Sequence, residues 1–125
     1  MVTGISQQSF HALFYRLTMA LDRQAVLKRI DNDHELYDEI CEIFQDDAPE
    51  IVRRLKDAIG SGEILVATRH AHSLKSVSAN IGATAMSELA NYAEIAGRNS
   101  NLQAMRNQIP LIEQELAELL KELRQ

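Results

Sequence analysis

Hydrophobic positions along the chain recur with a helical period throughout. Phe10, Leu13, Phe14, Leu17 and Leu21, preceded by Ser6, form one stripe of an amphipathic helix. Asp22 then reads as the N-cap of a short helix carrying Ala25, Val26, Leu27 and Ile30, and Asp31-Asn32-Asp33 as a turn holding a second cap. From His34 the apolar positions Leu36, Ile40, Ile43 and Phe44 lead on to Ile51, Leu55, Ala58 and Ile59. Pro49 lies between the two groups and either opens a fresh helix within Asp47-Ala48-Pro49-Glu50 or kinks a single long one. Gly60-Ser61-Gly62 is the clearest break in the chain. Beyond it the pattern predicts a helix from Glu63 to about Ile81 with Gly82 as its C-terminal glycine, and another from Ala83 to Gly97 with Met86, Leu89, Ala90 and Ala93 on one side. After Arg98-Asn99-Ser100-Asn101 comes a last helix holding Leu102, Met105, Ile109, Ile112, Leu116, Leu119, Leu120 and Leu123, with a kink expected at Pro110. Its Glu- and Lys-rich remainder is a solvated face.

Composition sharpens this to a fold class. With 5 glycines and 2 prolines in 125 residues, turn formers are too scarce for a sandwich or barrel of short strands. Long helices joined by short turns pack as an antiparallel four-helix bundle, here with additional N-terminal helical structure; residues 1–20 are expected to form a helical extension and 21–125 the bundle domain. The formal net charge of −5 argues against non-specific binding to nucleic acid or an anionic membrane. No apolar run is long enough to span a bilayer, and the first residues lack the basic start and apolar core of a secretory signal. A lone cysteine, Cys41, fits a reducing compartment, so a cytoplasmic protein is the expectation.

One segment departs from the acidic background. The stretch from Ile64 to Ser87 has no Asp or Glu but includes Arg69, His70, His72 and Lys75, a basic patch suited to an anionic partner or a phosphoryl group. At about 100° per residue, Ala67, Ala71, Leu74, Ser78 and Ile81 form the core stripe of this helix, centred opposite His72. His70 falls inside that stripe and reads as a satisfied core or boundary residue. Leu65, Thr68, Arg69, Lys75, Ser76 and Ala79 lie within about 60° of His72, which therefore projects outward among small residues and two cations. The two histidines do not share a face, and His11 and His34 add no i, i+4 pair, so a metal site is not expected. Neutral imidazole is a good nucleophile toward phosphorus, and a lysine at i+3 favours the neutral form and offers charge to phosphoryl oxygens. Nothing supplies a nucleotide site, so a histidine used in this way must receive its phosphoryl group from elsewhere.

The run His72-Ser73-Leu74-Lys75-Ser76-Val77-Ser78-Ala79-Asn80-Ile81-Gly82 resembles the signature of histidine-containing phosphotransfer (HPt) domains: His-x-Leu-Lys-Gly, two small residues, two variable, an aliphatic and Gly. Upstream, Leu21-Asp22, Ala25, Leu27, Ile30, Leu36-Tyr37, Phe44 and Asp47-Ala48-Pro49 resemble the family's lead-in helices. Downstream, Gly82-Ala83, Leu89, Glu94, Ala96 and Arg98 resemble the helix after the site. The resemblance implies a helical bundle with His72 as phosphoacceptor and Lys75 assisting the phosphoryl group. It implies a phosphocarrier with no ATP site, metal or cofactor of its own. The implied partners are response-regulator receiver domains, which carry the phosphoaspartate and Mg²⁺, and a hybrid sensor histidine kinase of which the chain could itself be a domain. Leu65, Thr68, Arg69, Ser76 and Ala79 would then form the docking face. The family's glycine falls on Ser76 and one of its small residues on Val77; the first adds a side chain about 40° from His72. A phosphotransfer domain of a chemotaxis-type kinase and a non-phosphorylated helical adaptor are the rival readings. A monomer is the simplest assembly.

Overall fold

The computed structural model describes Phe10, Leu13, Phe14, Arg16 and residues 21–124. Five helices follow one another over the continuous part: α1 (Arg23–Arg29), α2 (His34–Gly60), α3 (Ile64–Ile81), α4 (Thr84–Arg98) and α5 (Leu102–Leu123). Three of the five begin on a side-chain cap. Asp22 caps α1 through the Ala25 amide at 3.1 Å, and Asp33 caps α2 through the Leu36 amide at 3.0 Å. Between them Asp31 and Asn32 take the left-handed conformation, which short polar residues tolerate best. Asn101 caps α5 through the Ala104 amide at 3.0 Å.

Helix α3 packs against both α2 and α4, α4 against α5, and α5 closes back on α2, while α1 lies across α2 and α3. The four long helices thus form an antiparallel bundle around Phe44, Leu55, Leu74, Met86, Leu89, Met105, Ile112 and Leu119. All five positions assigned to the α3 core stripe, Ala67, Ala71, Leu74, Ser78 and Ile81, are fully buried. The stripe of α2 falls one position away from the most hydrophobic residues. Leu36 and Ile43 are exposed and Ile40 partly so, while Tyr37, Cys41, Phe44, Ala48, Val52 and Leu55 face the core. Tyr37 can be buried because its hydroxyl donates to the Ile81 carbonyl at 2.8 Å. Pro49 and Pro110 both lie inside continuous helices, which decides for one long α2 and leaves its Ala48–Val52 stripe unbroken.

The expected N-terminal helix falls mostly outside the described residues, as do Ser6, His11 and Leu17. Phe10, Leu13 and Phe14 are helical and exposed. Arg16 reaches α5, where its Nε donates to Glu115 Oε1 at 3.0 Å and a terminal nitrogen pairs with Glu122.

Gly82 turns the chain from α3 to α4 with φ +78°, and its carbonyl accepts from the Asp22 amide at 2.7 Å. A Cβ there would stand 2.5 Å from the Asp22 carbonyl oxygen. Backbone conformation and close approach both demand glycine. Gly82→Ala is therefore expected to destabilise the fold by about 2 kcal/mol or more, read as a lower denaturation midpoint with an unchanged denaturant slope. An unchanged midpoint would contradict this packing of α1 on the turn.

Candidate phosphoryl-transfer site

His72 sits near the middle of α3, and its side chain is 57% exposed. Its position follows from the core stripe behind it: with Ala67, Ala71, Leu74 and Ser78 buried on one face of the helix, His72, on the opposite face, must point out. Antiparallel packing brings α4 alongside. Thr68 lies against Gly97, His72 against Glu94, and Lys75 near Asn91, so rising numbers on α3 meet falling numbers on α4. The approach is close because residue 97 has no side chain; a Cβ there would fall 2.0 Å from the Thr68 hydroxyl oxygen.

Glu94 is the centre of the arrangement. It is 2% exposed, a buried carboxylate on an otherwise apolar face of α4 beside Leu89, Ala90 and Ala93. Its Oε2 stands 2.8 Å from His72 Nδ1 and accepts from an Arg98 terminal nitrogen at 2.7 Å, and Lys75 Nζ lies 2.5 Å from Oε1. Burial alone would raise the Glu94 pKa, but the Lys75 ammonium, the His72 ring and the Arg98 guanidinium outweigh it, and the carboxyl is held below its ordinary value. Glu94 is thus ionised at neutral pH and accepts only. Its bond to Nδ1 selects the tautomer with the proton on Nδ1, leaving the Nε2 lone pair directed away from Glu94.

This lowered pKa has a consequence for stability. Its stabilising contribution is complete above the unfolded-state value, about 4.3, and is lost as pH falls through the lower folded-state value. Glu115 acts in the opposite sense, because burial wins over Arg16 and raises its pKa. The difference between the wild-type chain and Glu94→Gln isolates the first effect. It is expected to be constant from pH 7 to about 5 and to shrink below pH 4, as measured by denaturant midpoints. A difference independent of pH would show that Glu94 is not held ionised.

The other residues singled out in the sequence separate into two groups. Leu65, Arg69, Ser76 and Ala79 are exposed on the His72 side of α3, Leu65 at 72%. Thr68 is half-buried, its hydroxyl donating to the Ile64 carbonyl at 2.7 Å and packed against Gly97, so it shapes the α3–α4 contact. His70 is half-buried at the boundary and His34 is exposed. Val77 packs against the core. Sequence reasoning missed the roles of Glu94 and Arg98. The available signal was a lone acid within the apolar stripe of α4, followed by arginine one turn later. Among the described residues no cluster of three or more histidine, cysteine or acidic side chains could hold a metal, and no helix is long and apolar enough to cross a membrane.

An exposed imidazole at mid-helix, a lysine one turn on and a helical bundle behind them are what a histidine phosphotransfer module requires. The family model of the Hpt domain matches residues 39–125, and the chain belongs to that family, whose members are phosphocarriers that interact with response-regulator receiver domains in phosphorelays. Among solved structures it is similar to histidine-containing phosphotransfer protein B (HptB) from Pseudomonas aeruginosa PAO1, with 26% sequence identity and a TM-score of 0.73 over 86% of this chain and 93% of that one. No curated protein matches the chain.

Proposed function

We infer that His72 accepts a phosphoryl group from the phosphoaspartate of one receiver domain and passes it reversibly to another. The observation that carries this reading is the Nδ1–Glu94 bond on an exposed ring, which leaves Nε2 as a nucleophile facing an incoming protein. In the forward step the Nε2 lone pair forms the N–P bond as the acyl phosphate O–P bond breaks, and the aspartate carboxylate leaves with the electron pair. No proton has to move at Nε2. The ring keeps its Nδ1 proton and becomes cationic, and the ionised Glu94 stabilises that charge where it develops. Chemistry of this kind is mostly positioning and charge stabilisation, and the metal that assists it belongs to the receiver.

Lys75 would supply positive charge to the phosphoryl oxygens from one turn away. Leu65, Arg69, Ser76 and Ala79 would meet the receiver, with Arg69 complementary to an acidic pocket and the small side chains allowing close approach. Such a relay would operate in the cytoplasm.

Incubating the chain with a phosphorylated receiver and Mg²⁺ tests this reading. The label should move to the chain and be acid-labile and alkali-stable, as an N-phosphoryl group is. A receiver that loses its phosphoryl group only to water, across a panel of receivers, would contradict it.

A further inference from the structure

Glu94 faces more positive charge than one carboxylate can balance. Lys75 and Arg98 both stand on it as permanent cations, Arg69 is exposed on the same face of α3, and the chain has no acid from Ile64 to Ser87. With His72 neutral, the site keeps an excess of positive charge beside the Nε2 nucleophile. The phosphoryl group read above as the cargo of His72 would carry a charge of opposite sign and nearly twice the size.

The position of Arg98 is specific. Its terminal nitrogen and His72 Nδ1 share a single oxygen, Glu94 Oε2, at 2.7 and 2.8 Å, so the two nitrogens lie within about 5.5 Å of one another. Lys75 takes the other oxygen and also reaches Asn91 Oδ1 at 3.5 Å. The two cations differ in freedom: the Lys75 side chain is 30% exposed and the Arg98 side chain 65%. A guanidinium with room to swing, anchored on the adjacent helix, presents paired donors that match phosphoryl oxygens.

The geometry points to Arg98 as a phosphoryl-binding residue: once His72 is phosphorylated, its guanidinium turns from Glu94 to the phosphoryl oxygens, clamping them from α4 while Lys75 acts from α3. This rests on the assignment of His72 as phosphoacceptor. Glu94 keeps the Nδ1 proton of the now cationic ring as its partner, so releasing Arg98 does not strand a buried carboxylate.

A test that needs no receiver separates the two claims. The full chain is phosphorylated with a small phosphoramidate donor, and the phosphorus resonance is titrated by ³¹P NMR. A cation on the phosphoryl oxygens favours the dianion and lowers the titration midpoint. Arg98→Gln is expected to raise that midpoint by about half to one pH unit, and Arg98→Lys to restore part of the shift. Arg54→Gln, the same charge change at an exposed position on α2, should leave it unmoved. Coincident midpoints for Arg98→Gln and the wild-type chain would overturn the assignment of Arg98 alone. A wild-type chain that takes no phosphoryl group on His72 would overturn the functional reading and this proposal with it.

Discussion

Replacing His72 by glutamine is expected to abolish acid-labile labelling of the chain by any phosphorylated receiver while leaving the fold in place. Glutamine can still offer an amide donor to Glu94, and the ring it replaces is more than half exposed, so the stability change should stay within about 1 kcal/mol. What disappears is the Nε2 lone pair, for which the amide has no nucleophilic counterpart. The comparison that gives the result meaning is His70→Gln. His70 is only two residues away but half-buried at the bundle boundary, roughly half a helical turn round from His72. Its replacement should retain labelling, with at most a modest loss of stability. Retained labelling in His72→Gln would move the phosphoacceptor elsewhere.

Glu94→Ala should give the second largest effect and separates positioning from chemistry. The substitution removes the acceptor that fixes the His72 tautomer and leaves Lys75 and Arg98 facing each other across a small void. Both cations are partly exposed and can be hydrated, so the fold should survive with a loss of about 1–3 kcal/mol. Transfer to His72 should slow by about 10–100-fold, by analogy with the loss of a partner that orients a metal-bound imidazole. Glu94→Gln can still accept from Nδ1 but cannot offset the cationic ring, and should fall between the two. A carboxylate that only held the helices together would affect stability without changing the rate measured on the folded fraction.

The contrast between what the sequence revealed and what it concealed follows from where each signal resides. The exposure of His72 was legible because it depends on one helix: five apolar or small residues on the opposite side of α3 fix the direction of the ring, and all five are buried. The caps at Asp22 and within Asp31-Asn32-Asp33 were legible for a similar reason, since each is a contact between residues three apart. The Glu94 pairing was not legible. It depends on the relative placement of two antiparallel helices, set by Gly97 against Thr68, and no periodicity within one helix encodes it. The core face of α2 was displaced for a different reason. Tyr37 and Cys41 rank below Leu36, Ile40 and Ile43 in hydrophobicity, yet only Tyr37 can direct a hydroxyl to the Ile81 carbonyl. Pro49 stayed ambiguous because proline fits the first turn of a helix with no hydrogen bond lost and can also be carried inside one at the loss of a single bond, and the packing of Ala48 and Val52 decides the outcome.

Phosphorylating the chain with ¹⁵N-labelled histidine and reading the phosphorus–nitrogen coupling in the folded protein tests most directly which nitrogen of which ring takes the phosphoryl group. The structure predicts one phosphorylated histidine, His72, with phosphorus bonded to Nε2 and the proton retained on Nδ1 beside Glu94. Phosphorus on Nδ1, or on any other residue, would contradict it.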